Sequence, residues 1–402
     1  MSTTSVAGSG PRIGRRTTTL IVALAFAVTM LGATLPTPLY GLYRQEIGFS
    51  EFMVTVVYAV YALGVIGALL LFGRLSDQIG RKPILLGGLA ISALSAAVFL
   101  VADGLPLLFV GRVLSGLSAG LFTGAATATI IDLAAPGRQG RATLLATAVN
   151  TGGLGLGPLV AGAFSEAFGD PLRVVFVVDL AVVAVLIVLV ALIPEPGKRV
   201  ARPRLAPQRL SVPAAVRPLF LPAALSAFAG FAVLGLYTAV VPSLLVLELD
   251  ISSRVIAGLV VFLVFAASAV GQSTLGLVPA GRAQSLGVAA LGGGALVLGL
   301  GVVAESLALL MAGGIIAATG QGLSFRAGMA AVTGASPPSQ RGEVASAYFV
   351  VAYVALSVPV VGVGVLGVLV GRQGASEIFS VIVAAIALAT LVLLRRTASA
   401  RP

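Results

Sequence analysis

The feature that most constrains this chain is a series of long apolar runs that follow one another from residue 18 to residue 394. The hydrocarbon core of a bilayer is about 30 Å thick, and a helix needs roughly 20 apolar residues to cross it. Twelve runs reach that length, so the sequence predicts an all-α membrane protein with twelve transmembrane helices. Their expected bounds are 18–43, 51–72, 83–102, 106–133, 141–164, 172–193, 217–245, 253–277, 283–303, 306–333, 343–370 and 376–394.

Composition agrees with this prediction and excludes several classes of function. Only 10% of the residues are charged and 58% are hydrophobic, whereas about a quarter of the residues of a soluble protein are charged. Cys, His and Trp are absent, so disulfides, thiolate metal sites and histidine chemistry cannot occur. No Gly-x-x-x-x-Gly-Lys-Ser/Thr loop is present, so ATP is not indicated as a driving force. We therefore expect no cofactor, no metal and no enzymatic activity.

The basic residues lie in alternate gaps between the apolar runs. One set of gaps, with both tails, holds Arg12, Arg15, Arg16, Arg74, Arg81, Lys82, Arg138, Arg141, Lys198, Arg199, Arg202, Arg204, Arg209, Arg217, Arg395, Arg396 and Arg401. The opposite gaps are acidic or nearly neutral. Basic loops face the cytoplasm, so we expect a multi-pass protein of the cell membrane with both termini cytoplasmic. The net charge of +11 is then a topology signal, which favours the lipid bilayer over nucleic acid as the partner.

Two related halves are predicted on either side of a linker. Segment 194–216 is rich in Pro and Arg and has no apolar helical period, as is typical of a linker. The expected parts are an N-tail (1–17), a six-helix bundle (18–193), the linker (194–216), a second six-helix bundle (217–394) and a C-tail (395–402). Sliding the second half over the first by about 202–204 residues matches Pro158 to Pro359 and Gly162 to Gly364. Such repeats predict a transporter with its binding site near the membrane midplane.

Three motifs on consecutive elements resemble those of the major facilitator superfamily. The segment "GRLSDQIGRK" (73–82) is similar to its loop motif between spans two and three, with Gln78 where a basic residue is common. The segment "GRVLSGLSAG" (111–120) resembles its Arg-x-x-x-Gly motif in span four. The segment "GGLGLGPLVAG" (152–162) resembles the Gly-Pro motif of its antiporter branches. The resemblance covers nearly the whole chain and implies a twelve-span transporter similar to the drug–proton antiporters.

The first motif acts in that family as a conformational latch on the cytoplasmic side. The resemblance implies that Gly73 and Gly80 belong to this loop and that Asp77 faces the positive N-terminal end of span eleven. It also implies that Arg81 contacts an acid at the end of span four, for which Asp132 is the matching residue. These contacts would hold the outward-open state and break as the protein opens inward. The alternative is that these charges only set the topology.

Two charged residues are predicted inside the spans at similar depths. Arg112 is about 10 Å and Asp179 about 12 Å from the outer surface, at 1.5 Å per residue. A charge within the membrane is a functional-site hypothesis by default. The resemblance implicates the Arg that matches Arg112 in proton coupling, and Asp179 is the second candidate proton carrier. Their similar depth allows a pair; the alternatives are that Arg112 extends to the outer headgroups and that Asp179 is structural.

Few polar residues are available to line a central cavity. The candidates are Asn150, Tyr237, Gln272, Gln321, Arg326, Tyr348 and Tyr353. Arg326 is a candidate for binding an anionic substrate or a mobile counter-ion, and the alternative is a partner for backbone carbonyls or a lipid phosphate. So sparse a polar set favours hydrophobic or weakly polar substrates, because sugars require several hydrogen-bonding partners.

Span five carries small residues at four-residue spacing. Gly153, Gly157 and Gly162 allow a neighbouring helix to approach closely, and Pro158 frees a carbonyl and bends the helix. These residues are expected to form a hinge or packing site without chemistry of their own. The same pattern is also typical of ordinary membrane packing.

The function that these features favour is proton-coupled export of amphipathic or drug-like small molecules by a monomer. Span one has no acidic residue, unlike many drug–proton antiporters of the superfamily. The alternative is a uniporter or symporter for a small metabolite, with Arg112 and Arg326 as the residues that would hold an anionic one. A membrane sensor without transport activity is a third class, and the intact motifs of the first half argue against it.

Overall fold

The computed structural model describes residues 13–73, 75–197 and 210–399. Within these residues all regular secondary structure is helical, which confirms the all-α prediction. The helices are α1 (Arg15–Thr34), α2 (Tyr40–Ile47), α3 (Glu51–Phe72), α4 (Leu75–Ile79), α5 (Arg81–Leu100), α6 (Leu105–Asp132), α7 (Gln139–Ala167), α8 (Pro171–Leu192), α9 (Arg217–Ala239), α10 (Val241–Leu247), α11 (Arg254–Ser273), α12 (Ala280–Val303), α13 (Leu307–Gly334) and α14 (Arg341–Ser399).

The number of membrane crossings follows from a break in the last helix. Eleven helical segments of the described chain are long and apolar enough to cross a bilayer. The last of them, Arg341–Thr397, has 57 residues, more than twice the length that one crossing needs. Gly371 interrupts α14 with φ 79° and ψ 164°, a conformation that glycine adopts without steric cost. α14 therefore forms two crossings, and the twelve predicted spans are confirmed.

Prolines break the first and seventh spans, which were predicted to be continuous. α1 ends before Pro36, and a 3-10 turn at Thr37–Leu39 connects it to α2. Proline has no amide hydrogen and disfavours the helical conformation of the residue before it. In the second half the chain breaks in the same way between α9 and α10, next to Pro242.

The internal repeat is visible at the start of two helices. Ser50 accepts a hydrogen bond from the amide of Met53 at the start of α3 (3.3 Å), and Ser253 accepts one from Ile256 at the start of α11 (3.2 Å). Such serines satisfy an amide that has no partner within the helix. Ser50 and Ser253 are related by the same offset as the sequence repeat.

The spans pack as two groups with two main seams between them. The first group contains α1, α3, α5, α6, α7 and α8, and the second contains α9, α11, α12, α13 and α14. The seams are α7 against α11 and α3 against α14. This is the predicted layout of two six-helix halves, and the exact bounds of the two bundles stay a prediction.

Glycines related by the repeat build both seams. A Cβ on Gly162 of α7 would meet the backbone of Arg254 at the start of α11. A Cβ on Gly364 of α14 would meet the side chain of Thr55 near the start of α3. The two halves therefore touch through equivalent positions, as the alignment of Gly162 with Gly364 implies.

The two ends of the bundle carry different loops. The end with residues 73–80, 133–138 and 193–197 is here called the motif face. The end with residues 48–50, 168–170, 248–253 and the break at Gly371 is called the Arg372 face. Residues 210–213 of the predicted linker are not helical. Several basic residues of the predicted topology lie outside the described residues, namely Arg12, Arg74, Lys198, Arg199, Arg202, Arg204, Arg209 and Arg401.

Candidate functional site

A central cavity lies between the two halves. It encloses about 770 Å³ of atom-free space. Both groups of helices line it, with Ala33, Thr34, Tyr58, Tyr61, Arg112, Asn150, Thr151, Leu154, Phe231, Leu234, Thr238, Phe265, Ser268, Gln272, Gln321, Phe325, Phe349, Tyr353 and Leu356.

The cavity wall is aromatic and carries one charge. Seven of its residues are Tyr or Phe, and seven more are uncharged polar residues. Arg112 is its only charged residue, and no carboxylate of the described chain lines it. Aromatic rings offer large apolar faces and, in tyrosine, one hydroxyl. The cavity can therefore enclose an amphipathic molecule that makes few hydrogen bonds.

Arg112 is fully buried and is held by backbone carbonyls and aromatic rings. Its Nη1 donates to the carbonyl of Ala33 on α1 (2.7 Å), and its Nη2 donates to that of Tyr58 on α3 (3.3 Å). Its guanidinium lies 4.6 Å from the ring centroid of Tyr61, within the range of a cation–π contact. Its Nε has no hydrogen-bond partner. Arg112 thus joins three helices and does not extend to the headgroups.

Four of the predicted cavity residues do line the cavity, and two of them belong to a polar chain across the halves. Ser268 donates to Gln321 Oε1 (2.6 Å), and Gln272 Nε2 lies 3.4 Å from Ser268 Oγ and 3.5 Å from Thr151 Oγ1. Thr151 belongs to α7 and the other three to α11 and α13. The residues from the prediction that line the cavity are Asn150, Gln272, Gln321 and Tyr353.

Three of the candidate cavity residues are not among the residues that line this cavity. Tyr237 is completely buried, and its hydroxyl donates to the carbonyl of Leu310 on α13. Tyr348 stacks on Phe325 with ring centroids 5.0 Å apart and donates to that residue's carbonyl (3.2 Å). Arg326 donates to the carbonyl of Gln272 (3.0 Å) and does not line the cavity. All three side chains join neighbouring helices.

Several lining residues were missed by sequence reasoning. Tyr58 and Tyr61 on α3 were not singled out, although their three-residue spacing puts them on one helix face. Thr238 and Phe231 of α9 were missed because every face of that helix is apolar. The spacing of the two tyrosines was the only sequence signal for this part of the cavity.

Pro158 frees a carbonyl that another span then satisfies. Because Pro158 has no amide hydrogen, the carbonyl of Leu154 loses its donor within α7. Thr34 Oγ1 of α1 lies 2.8 Å from that carbonyl oxygen and donates to it. A Cβ on Gly157 would displace Thr34, and one on Gly153 would meet Met30 of α1. Three of the four predicted packing residues thus hold α7 against α1, while Gly162 contacts α11.

The motif loop forms a charge cluster within the first half. Gly80 has φ 101°, in the region that favours glycine. Arg81 pairs with Asp77 (2.5 Å), lies 3.3 Å from Asp132 and donates to Ser76 (2.7 Å). Gly73 ends α3 with a helical backbone.

The start of the linker also contacts the motif loop. Glu195 Oε1 accepts hydrogen bonds from the amides of Arg81 (2.8 Å) and Lys82 (3.2 Å) at the start of α5. A carboxylate is favourable there because of the free amides and the helix dipole. Lys82 Nζ donates to the carbonyl of Ile193 at the end of α8 (2.9 Å). The loop is therefore tied to α6 and α8 of its own half.

On the Arg372 face, the charges connect the two halves. Arg372 Nε donates to both carboxylate oxygens of Glu51 at the start of α3 (2.9 and 3.0 Å). Arg372 Nη1 lies 3.4 Å from Glu248, and Arg44 lies 3.6 Å from Glu51. This set of residues is here called the Arg372 network. A second cavity, of about 730 Å³, lies against it and is lined in part by Glu51, Arg372 and Ser243.

The other seam has its own polar contact at the same face. Glu166, at the end of α7, accepts hydrogen bonds from Ser253 Oγ (2.9 Å) and from the amide of Val255 (3.2 Å) at the start of α11. The carboxylate again meets the positive end of a helix. Polar contacts therefore close both seams at the Arg372 face.

Asp179 lies apart from the central cavity. It is buried on α8, and its carboxylate faces Gly32 of α1. The sequence allowed an ion pair between Asp179 and Arg112, but the two do not pair: Arg112 donates to the carbonyl of Ala33, whereas the Asp179 carboxylate faces Gly32. Asp179 Oδ1 has no hydrogen-bond partner.

Comparisons with known proteins agree with this architecture. The model of the Major Facilitator Superfamily family matches residues 22–358. The chain is 32% identical to the inner membrane transport protein YajR of Escherichia coli over 121 residues, which are 30% of this chain and 26% of that protein. It is 27% identical to the quinolone resistance protein NorA of Staphylococcus aureus over 136 residues, 34% of this chain and 35% of NorA. The matched segments thus span only about a quarter to a third of these curated relatives.

Two solved structures share the fold over nearly the whole chain. The first is a bacterial homolog of the human lysosomal transporter Spinster in an inward-facing and unoccupied conformation, with a TM-score of 0.73, 15% identity and coverage of 97% of this chain and 99% of that one. The second is the human organic anion transporter TETRAN, with a TM-score of 0.63, 19% identity and coverage of 95% and 100%. At these identities the likeness concerns the fold alone.

Proposed function

The chain belongs to the major facilitator superfamily, a family of membrane transporters and not of enzymes, and we propose that it exports amphipathic small molecules by alternating access, coupled to protons. The observation that carries this proposal is the central cavity, which both halves line with seven aromatic residues, seven uncharged polar residues and a single charge among the described residues. A site of this kind holds a substrate mainly through apolar and aromatic contact.

The motif face is the cytoplasmic face in this proposal. Basic residues are concentrated there, as in Arg81, Lys82, Arg138 and Arg141, and basic loops favour the cytoplasm. Both termini are then cytoplasmic, and the cell membrane is the proposed location. The tails themselves lie largely outside the described residues.

The two faces carry the two sets of contacts that alternate. In the described conformation the Arg372 network and Glu166 join the halves on the proposed outer side. On the motif face, Arg81, Asp77 and Asp132 contact one another within the first half. We propose that Asp77 engages the start of the eleventh span when the protein opens outward, and that the Arg372 network then separates.

Arg112 is the proposed link between proton movement and substrate. It contacts α1 and α3 through their backbone and lines the central cavity at the same time. A change of charge near Arg112 would therefore act on two helices of the first half together. Asp179 is the second proposed proton-coupling residue, since a carboxyl group inside the membrane is functional by default.

A flux assay in liposomes tests the proposal. Purified protein is reconstituted into liposomes, and the liposomes are loaded with fluorescent aromatic compounds that are anionic, neutral or cationic. A pH gradient is then imposed across the membrane. We expect flux of at least one class to follow the gradient, and Arg112→Gln to abolish that dependence. If the flux of every compound is independent of the pH gradient, the protein is a uniporter and not a proton antiporter. If no compound is transported, the proposal of export is wrong.

One observation favours a second function, the transport of a small anionic metabolite. Among the described residues, Arg112 is the only charged one that lines the central cavity, and its Nε has no hydrogen-bond partner there. An anion is the group that such a buried cation would bind best. The same flux assay separates the two functions, because a metabolite carrier would move small anions and ignore neutral amphipathic compounds.

A further inference from the structure

A small polar pocket lies inside the first half, among α1, α5, α6 and α8. Four hydroxyl groups and one carboxylate line it, from Thr29 of α1, Ser92 and Ser95 of α5, Ser115 of α6 and Asp179 of α8. All five residues are buried. The space that it leaves for an atom the size of a water molecule is only about 10 Å³. Oxygen atoms from four helices thus converge within an apolar bundle.

The wall of this pocket offers acceptors and few donors. Thr29 donates its hydroxyl proton to the carbonyl of Ala25 (2.8 Å), Ser95 to that of Gly111 (2.9 Å) and Ser115 to that of Arg112 (2.9 Å). These hydroxyls therefore present only lone pairs to the pocket. Among the described residues, Asp179 Oδ1 has no hydrogen-bond partner. An ionised carboxylate in such a place is costly unless a cation joins it.

We propose that this pocket is a binding site for one sodium ion, held by the Asp179 carboxylate and the surrounding hydroxyl oxygens. Hard cations take oxygen ligands, and a single carboxylate balances a single positive charge. A proton can occupy the same carboxylate when the ion is absent, but one proton would not use the hydroxyls that this pocket supplies from three other helices. No other titratable residue lines it among those the structure describes.

The pocket is linked to the central cavity through α1. The Asp179 carboxylate faces Gly32, and Arg112 binds the carbonyl of the next residue, Ala33. Ala33 lines both the sodium pocket and the central cavity. An ion that neutralises Asp179 would change the electrostatic potential at Arg112 and the position of α1 together. This effect on Arg112 and α1 rests on the proposed export function, whereas the binding of sodium itself does not.

Direct binding of radioactive sodium to the purified full chain tests the inference. We expect saturable binding of one ion per chain, and a higher melting temperature in sodium chloride than in choline chloride. Asp179→Asn should abolish both effects, whereas Asp103→Asn, which changes an exposed carboxylate, should leave both unchanged. Sodium binding that survives in Asp179→Asn, or equal stability in the two salts, would overturn the proposal. Stability that depends on pH through Asp179 without any sodium effect would also overturn it, in favour of a proton alone.

A pair of glycine variants tests the site without removing its charge. A Cβ on Gly32 would lie 3.2 Å from Asp179 Oδ2, whereas one on Gly41 meets nothing within 4 Å. Gly32→Ala should weaken sodium binding about tenfold, and Gly41→Ala should not change it. Unaltered binding in Gly32→Ala would contradict the site. No transported substrate is present in these binding assays. If sodium does not bind, the export proposal is therefore unaffected. If the protein does not export any compound, the result on sodium binding is likewise unaffected.

Discussion

The two faces of the bundle use charge in opposite ways. On the motif face, the pairs of Arg81 with Asp77 and Asp132 lie within the first half, and the Asp77 side chain is 62% exposed. On the Arg372 face, Arg372 of the second half binds Glu51 of the first, and Glu166 of the first binds the start of α11 in the second. The charges of one face organise a loop, and those of the other join the halves.

This difference indicates which face is closed. Contacts that cross between halves oppose their separation, whereas contacts within one half move with it. The Arg372 face is therefore the closed end in the described conformation. The motif-face charges remain available for a contact with the second half in the opposite state, which is the role we propose for Asp77.

Overpacking a seam at the Arg372 face should have the largest effect. In Gly162→Ala the new methyl group meets the backbone of Arg254, so α7 and α11 must move apart. We expect a loss of about 1–3 kcal/mol of stability, measured as a lower thermal unfolding temperature in detergent. Gly152→Ala on the same helix is the control, since its Cβ meets nothing within 4 Å. Equal melting temperatures for the two variants would contradict a tight seam.

Removing the central charge of the Arg372 network should open that face. Two partly exposed ion pairs together contribute about 1–2 kcal/mol, so Arg372→Gln should raise the population of the open state about tenfold. The chain has no cysteine, so one reporter, Ser243→Cys, can be labelled from outside with an impermeant maleimide. We expect faster labelling in Arg372→Gln.

The control for this experiment is Arg173→Gln. Arg173 pairs with Asp170 at the same face, 3.6 Å away and within the first half. Its loss should not change the labelling rate of Ser243→Cys. A labelling rate that responds equally to both substitutions would show that local charge, and not the connection between halves, controls access.

Neutralising the motif loop should slow transport without unfolding the protein. Asp77→Asn removes the partner that we propose for the outward-open state, and its loss should lower transport several-fold. Among the described residues this exposed carboxylate forms its ion pair with Arg81 alone, so stability and membrane insertion should change little. The measurement is flux per inserted molecule, with Asp103→Asn as the control. Wild-type turnover in Asp77→Asn would refute the latch.

The smallest effect is expected at the second seam contact. Glu166→Gln keeps an acceptor for Ser253 and for the amide of Val255 and removes only the charge. Because this carboxylate is solvent-exposed, we expect a change in labelling of Ser243→Cys of about twofold or less. An effect as large as that of Arg372→Gln would mean that the two seams are equally important for closure.

The spans were predictable because the bilayer sets their length. The break at Gly371 falls in the predicted gap between the last two spans, and the repeat anticipated that Gly162 and Gly364 are equivalent. The first span was predicted as one helix, although Pro36 and Pro38 were visible in the sequence. These two prolines were the sequence signal for a break in the helix, which hydropathy alone does not show.

The central cavity was only partly predictable, for a reason of geometry. A helix that is apolar all round gives no sign of which face is turned inward. Of the three candidate tyrosines, Tyr353 lines the cavity, whereas Tyr237 and Tyr348 pack between spans. The burial of Arg112 followed from its depth, but its backbone partners, like the partners of Arg372, depend on the tertiary structure.

The most direct test of this account measures both faces in the same protein. Spin labels at Gln139→Cys and Ser339→Cys report the separation of the halves at the motif face, and labels at Gly169→Cys and Ser252→Cys report it at the Arg372 face. We predict that adding a transported compound or changing the pH alters the two distances in opposite directions, with the Arg372-face distance longer whenever the motif-face distance is shorter. Two distances that stay constant, or that change in the same direction, would contradict alternating access between a closed Arg372 face and an engaged motif face.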